Sequence, residues 1–422
     1  MRKKSIQIIG ILLSLVVILT SGSMTALADE INSTGTKDSE AEEEGYSTGY
    51  MELPDEPVPE SVSSYAADRR LRLRSVSGLS ADGALASDSK YPENISDFDS
   101  YMPPLRNQNP FGSCWAHSAM ALAEINLRKQ GKMSSDLDLS ELQLAYFTYN
   151  SITDPLGGTE GDGNSGDFGA TSNYLDVGGN IALAANVLTS WTGAADDKGD
   201  LKYPTAKNSF PQTLDSKYAY DNDTAHIVGY RIVNINGSEA DRSAVKQLII
   251  ENGAVGISYH SQSGTLPGVD TTYYNSANNA YYDDINVRTN HAVTIVGWDD
   301  TFSKDNFNEE KRPDNNGAWL VRNSWMTGNH NSEGSFCYSG YFWMSYETKS
   351  IGENAYSFVF DTADNYDHNY QYDGAMIPKF ICMNDAIEAA NVFNSKGNEE
   401  LKAVSFMTYS RSEEHTSELQ SL

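Results

Sequence analysis

Gln108-Asn-Pro-Phe-Gly-Ser-Cys114-Trp-Ala-His117 is the stretch on which the reading of this chain turns. A lone cysteine follows a Gly-Ser turn and opens a helical pattern, in which Trp115, Ala119, Leu122 and Ala123 make an apolar stripe. Ser113 stands at the expected helix N-cap. A thiol at a helix N-terminus lies in the positive end of the macrodipole, which favours the nucleophilic thiolate. Gln108, upstream, carries an uncharged amide NH2. Together with the Cys114 backbone N–H, that donor suits the stabilisation of a developing oxyanion. The plain alternative is a structural cysteine beside a core tryptophan, and the rest of the chain weighs against it.

A nucleophilic thiol needs a base and a group that orients the base. His291 opens a strand whose apolar residues alternate (Val293, Ile295), and Asn323 ends the run Trp319, Val321. If the two strands are antiparallel neighbours, His291 and Asn323 meet at one rim. A Cys114–His291 pair then forms a thiolate–imidazolium nucleophile, Asn323 accepts from the ring, and Trp325 shields that bond from water.

These segments, taken together, resemble the papain-like cysteine peptidases. Asn290-His291-Ala-Val-Thr-Ile-Val-Gly-Trp298 is similar to the family's histidine strand, Gly317-Ala-Trp-Leu-Val-Arg-Asn323-Ser-Trp325 to its Asn-Ser-Trp strand, and Gly340-Tyr-Phe-Trp-Met-Ser-Tyr346 to its closing Gly-Tyr strand. Leu139-Ser140-Glu-Leu-Gln143 resembles its Leu-Ser-Glu helix start and also reads as a capping box. Asn252-Gly-Ala-Val-Gly-Ile-Ser258 resembles the strand that walls the cleft, and Val177-Gly-Gly-Asn180 the Gly-Gly segment that bonds substrate backbone. The resemblance runs from about Tyr91 to Tyr346, with the segments in order.

The resemblance implies a two-lobed α+β fold. A helical lobe carries Cys114, and a β-barrel lobe carries His291 and Asn323. It implies amide hydrolysis through a Cys114 thioester, with Gln108, Cys114, His291 and Asn323 catalytic and Gly178, Gly179, Asn290 and Trp325 binding a protein or peptide substrate. No metal and no organic cofactor is expected. For Gly178 and Gly179, a simple entry turn to the helix Ile181–Leu188 is an equally good reading. Two rivals are another Cys–His acyl-transfer enzyme, for example of transglutaminase type, and a non-catalytic surface adhesin built on a peptidase shell. The Gln108 spacing and the Asn-Ser-Trp strand speak against the first, and the intact Gln/Cys/His/Asn set against the second.

The chain also departs from the family pattern. Phe111 replaces the usual structural cysteine, which leaves Cys337 and Cys382 as two free thiols or at most one disulfide among the 3 cysteines. His117 replaces an aromatic residue, either as a second base or, preferably, as a buried hydrogen-bonded histidine. Met326 replaces a glycine. His226, His260, His330 and His368 are expected at the surface. The spacings from Cys114 to His291 and Asn323 exceed the roughly 130–150 residues of papain itself. Insertions at Asp154–Gly169 and Ser303–Asn316 account for the excess. Asp154, Glu160, Asp162 and Asp167 do not follow EF-hand spacing and are read as a solvated loop.

Residues 1–28 read as a secretory signal peptide: Arg2-Lys-Lys4, an apolar run Ile8–Leu19, and Ala26-Leu-Ala28. Residues 29–90 read as an acidic disordered leader or prosegment, with eleven acids against one lysine from Asp29 to Glu60. It shows no long helical pattern that would occlude a cleft. Its basic cluster Asp68–Arg74 is either a processing site or a short amphipathic prosegment element, and a processing site there would start the mature protein between Arg69 and Tyr91. The peptidase domain is expected at 91–347. The segments after it, at 348–410, resemble the incomplete start of a lectin-like β-sandwich domain. Residues 411–422 read as translated sequencing-adapter DNA. The net charge of −28 argues against nucleic-acid binding. A monomer, secreted or at the cell surface, is expected, with cell-wall or surface carbohydrate as a possible partner of the C-terminal region.

Overall fold

The computed structural model describes residues 48–51, 94–95, 101–134, 136–150, 152–153, 163–164, 173–220, 223–235, 237–262, 271–328, 340–371, 393, 395 and 397–404. The expected signal peptide, most of the expected leader, the acidic residues Asp154, Glu160, Asp162 and Asp167, Cys337, Cys382, His330 and residues 411–422 lie outside them. The strands are β1 (Asn94–Ile95), β2 (Leu105–Asn107), β3 (Ile152–Thr153), β4 (Gly163–Asn164), β5 (Ala225–Asn234), β6 (Val255–Tyr259), β7 (Tyr274–Asn275), β8 (Ala280–Tyr281), β9 (His291–Asp299), β10 (Ala318–Arg322), β11 (Trp325–Gly328), β12 (Tyr341–Ser345) and β13 (Asn354–Thr362). The helices are α1 (Cys114–Lys129), α2 (Glu141–Tyr149), α3 (Ile181–Thr189) and α4 (Glu239–Asn252).

Two cores give the two lobes. The first gathers apolar side chains of α1, α2 and α3, including Trp115, Leu122, Leu144, Tyr149 and Leu188. The second lies between α4 and the sheet, around Leu248, Ile257, Ile295, Trp298, Trp319 and Val321. Strand β9 stands between them. Successive side chains of a strand point to opposite faces. Accordingly Ala292 and Val296 belong to the helical core, while Val293 and Ile295 belong to the sheet core. This is why β9 is mostly apolar and buried up to its last residue.

The sheet runs in the order β5-β13-β6-β9-β10-β12-β8-β7, with β1 added on β9, while β11 pairs separately with β2. These nine strands form the β lobe of the expected two-lobed fold, and among the described residues no ladder joins its two ends. The antiparallel β9–β10 register sets Ile295 opposite Val321 and Thr294 opposite Arg322. The expected neighbouring of the His291 and Asn323 strands therefore holds.

The expected boundary at residue 347 does not hold. β13 pairs along its length with β5 and meets β6 at Tyr356–Gly256, and it buries Ala355, Phe358 and Phe360. Its alternation reads correctly as a strand. Its partners, however, are more than ninety residues earlier in the chain, and a local pattern does not name them. Beyond β13 the described residues hold no further strand, and Leu401 and Val404 are exposed.

Helix caps follow the local sequence at α2, α3 and α4. Ser140, Asn180 and Ser238 each accept from the backbone N–H three residues on. The capping box at α2 is only half formed. The Gln143 side chain donates to Tyr218 O and accepts from Ala195 N instead of returning to Ser140. Ser113 makes no cap bond at α1, contrary to expectation, because its hydroxyl is used elsewhere. His226, expected at the surface, is 9% exposed, lies 3.0 Å from Asp223 Oδ2 and stacks on Trp191.

Candidate active site

Cys114 is the first residue of α1, with its Sγ turned to the start of β9, where it accepts from the Ala292 N–H at 3.3 Å. His291, one residue earlier, is fully buried, and its Nε2 donates to Asn323 Oδ1 at 2.7 Å. The same oxygen accepts from the Ser324 N–H at 2.8 Å, which fixes the amide's orientation. Trp325 stacks on the imidazole, with ring centroids 4.4 Å apart and planes inclined by 21°. It thereby covers the His291–Asn323 bond. Once Asn323 takes Nε2–H, Nδ1 is the nitrogen left to the thiol. It is buried with no hydrogen-bond partner, so the expected Cys114–His291 bond is not made in this state.

Gln108 is fully buried on the other side of Cys114. Its Nε2 donates to the Phe111 carbonyl at 3.1 Å, and its Oε1 accepts from Ser324 Oγ at 2.7 Å. The amide thus bonds within its own loop and to the residue after Asn323.

The leader enters this site, against expectation. Residues 48–51 run along the cleft as an extended strap. Tyr50 N–H donates to Asn290 O at 3.1 Å, Met51 N–H to Gly179 O at 2.7 Å, and Gly179 N–H to Gly49 O at 2.9 Å. The Asn180 Nδ2 adds a bond to Met51 O at 3.2 Å. Tyr50 and Gly179 form a parallel bridge. Gly179 and Asn290 thus bond to a peptide backbone, and a Cβ on Gly178 would lie 3.1 Å from Gly49 O. The Gly49 backbone lies close enough to the Cys114 thiol to lower its pKa slightly. Gly49 approaches so closely that a Cβ there would lie 1.8 Å from Gly112 O. Four residues of extended backbone occlude a cleft without any helical periodicity, so no periodic signal announces them.

Burial under the strap sets the electrostatics. The Cys114 thiol is fully buried, and desolvation pushes its pKa up to about 12, against the smaller lowering by the N–H groups around it. Desolvation lowers His291 to about 4, opposed by its bond to Asn323. Between those values both groups are neutral. Behind them, burial raises Glu124 to about 7 and Glu141 well above the usual carboxylate range, although Arg106 lies 3.9 Å from Glu124.

Sequence reading missed the strap and also Tyr203, whose hydroxyl reaches Gln108 O and Ser113 Oγ. Nothing around Lys202-Tyr203-Pro204 marks it as part of the site. His117 is the buried, hydrogen-bonded histidine preferred above, with Nδ1 3.1 Å from Ser113 O. Among the described residues no group of histidine, cysteine or acidic side chains is arranged to hold a metal ion.

A family profile described as papain family cysteine protease matches residues 92–359. The senescence-specific cysteine protease SAG12 of Arabidopsis thaliana is 27% identical over 53% of this chain and 49% of its own length. A cysteine protease of Blomia tropicalis is 25% identical over 59% of this chain and 60% of its own. The chain therefore spans less than two thirds of either relative. The solved cysteine protease and lectin-like domains of Cwp84, a surface layer associated protein of Clostridium difficile, superpose with a TM-score of 0.48 at 27% identity, over 65% of this chain and 53% of that one. The profile covers more than half of the chain and includes Gln108, Cys114, His291 and Asn323, and on that match the chain belongs to the papain family of cysteine proteases.

Proposed function

We propose that this protein is an exported cysteine endopeptidase held latent by its own leader. The observation that carries the reading is one juxtaposition. A helix-start thiol rests on the Ala292 N–H, next to an imidazole whose far nitrogen is bonded to Asn323.

Once the strap leaves, a substrate strand takes its place on the Gly179 backbone and the Asn290 carbonyl. His291 Nδ1 removes the thiol proton, and Sγ attacks the scissile carbonyl carbon. The oxyanion is received by the Cys114 N–H and by the Gln108 amide, which turns from Phe111 O. The imidazolium gives its proton to the leaving amine and a thioester remains. Water then attacks the thioester with His291 as base, which releases the acid and the thiol. Asn323 accepts from Nε2–H throughout, and Trp325 keeps water from that bond.

Export rests on the pattern of residues 1–28, and processing of the leader on the basic cluster at Asp68–Arg74. Surface attachment and carbohydrate binding by the C-terminal region rest on the surface-layer relative alone. The test compares matured wild type with Cys114→Ala on a protein substrate and a fluorogenic peptide, with labelling by an epoxysuccinyl inhibitor mapped by mass spectrometry. Hydrolysis should fall about 10⁴-fold or more in the variant, the scale for a lost nucleophile, and the label should sit on Cys114. Matured wild type that cleaves nothing and takes no label would leave the adhesin reading in its place.

A further inference from the structure

We propose that Tyr203 and His117 are positioning residues that hold the oxyanion loop of this enzyme through one continuous chain of hydrogen bonds. The loop from Gln108 to Cys114 carries both oxyanion donors. Its two ends are tied by one hydroxyl. Tyr203 Oη lies 2.7 Å from Gln108 O and 2.5 Å from Ser113 Oγ.

The protons of this chain have a single consistent assignment. Gln108 O can only accept, so the Tyr203 proton points to it. Tyr203 Oη therefore accepts from Ser113 Oγ–H. That proton is then unavailable to His117, and Ser113 O is also an acceptor only. Hence His117 Nδ1 carries the hydrogen, 3.1 Å from Ser113 O and 3.4 Å from Ser113 Oγ. Each bond polarises the next in one direction, His117 to Ser113 to Tyr203 to Gln108, and such alignment strengthens buried chains.

Packing holds the donors in place. His117 meets the Tyr203 ring edge-on at 4.7 Å, and Phe111, within the loop, meets the same ring edge-on at 6.0 Å. The Tyr203 backbone N–H is itself held by Asp197 Oδ1. Burial lowers His117 to about 3, which keeps it neutral with Nε2 as a lone pair, 3.6 Å from Glu141 Oε1. This also explains why Ser113 does not cap α1: its hydroxyl is a link in the chain.

The proposal rests on the peptidase reading, and the test separates the two. Tyr203→Phe removes one hydroxyl and keeps the ring contacts. His117→Phe keeps the edge-on packing and removes the Nδ1 donor. Measured on full chains matured identically, each variant should lose about 5- to 50-fold in kcat, the scale of one buried hydrogen bond, with KM within about twofold. Affinity for a peptide aldehyde, whose adduct carries an oxyanion, should fall in parallel. Alkylation of Cys114 by iodoacetamide develops no oxyanion and should keep its wild-type rate. Amide hydrogen exchange across 108–114 should quicken about tenfold while the middle of α1 is unchanged, a readout that needs no turnover. Wild-type kcat in Y203F, alkylation slowing in step with kcat, or unchanged exchange in the loop would overturn the proposal. Absent turnover in wild type would instead overturn the peptidase reading.

Discussion

Replacing Gly49 by alanine should open the cleft of the uncut chain. Among the bonds that hold the strap are four from Tyr50 N, Met51 N, Gly179 N and Asn180 Nδ2. At about 1 kcal/mol net each, they amount to about 4 kcal/mol. That holds the cleft closed in all but about one molecule in 10³. An alanine Cβ would lie 1.8 Å from Gly112 O, 2.1 Å from its C and 2.5 Å from its Cα. All three are backbone atoms, so no rotamer relieves the overlap, and the strap must lift from Gly112 and take the Gly179 pairing with it. The assay is hydrolysis of a fluorogenic peptide by chain whose intact leader is verified by mass. It is expressed relative to the same protein after maturation. Uncut wild type should show about 0.1% of matured activity, and uncut G49A should approach the matured value. An uncut G49A as silent as wild type would refute the reasoning, as would uncut wild type already at full activity.

Two further outcomes follow from burial. In the uncut chain Cys114 is pushed up to about 12 and His291 down to about 4, so neither is charged at neutral pH. Alkylation of the uncut chain by iodoacetamide at pH 7 should therefore run about 10³-fold slower than that of matured protein, through the open fraction alone. Matured protein, with an imidazole free to take the proton, should react readily at pH 7. An uncut chain that reacts at the matured rate at pH 7 would contradict the buried, neutral pair. A chain ending at residue 347 loses β13 and with it buried Phe358 and Phe360. These two side chains alone contribute about 3–6 kcal/mol, against a total stability of about 5–15 kcal/mol for a domain. That chain should show no cooperative melting transition, whereas one ending at residue 371 should melt like the full chain. A 347-residue chain that melts normally would place β13 outside the folding unit.

Much of the site is legible in the sequence because its chemistry lives on regular elements. Cys114 opens an amphipathic helix, and His291 and Asn323 flank strands whose alternating side chains fill two cores. Their residue types and order along the chain are enough to name them. Asn180 and Ser140 announce their helices for the same reason, since a cap is a contact across three residues. What tertiary structure alone decided is what depends on distant partners. β13 reads as a strand, but only packing assigns it to the sheet between β5 and β6. Ser113 reads as a cap, but Tyr203, ninety residues on, takes its hydroxyl. His226 reads as polar surface, but Trp191 covers it. The leader strap is the extreme case. Its grip on Gly179 and Asn290 is backbone to backbone, and its nearest approach requires only that residue 49 have no side chain. A hydrogen bond between main chains carries no residue type, so the contact that closes this cleft leaves almost no mark on the sequence that makes it.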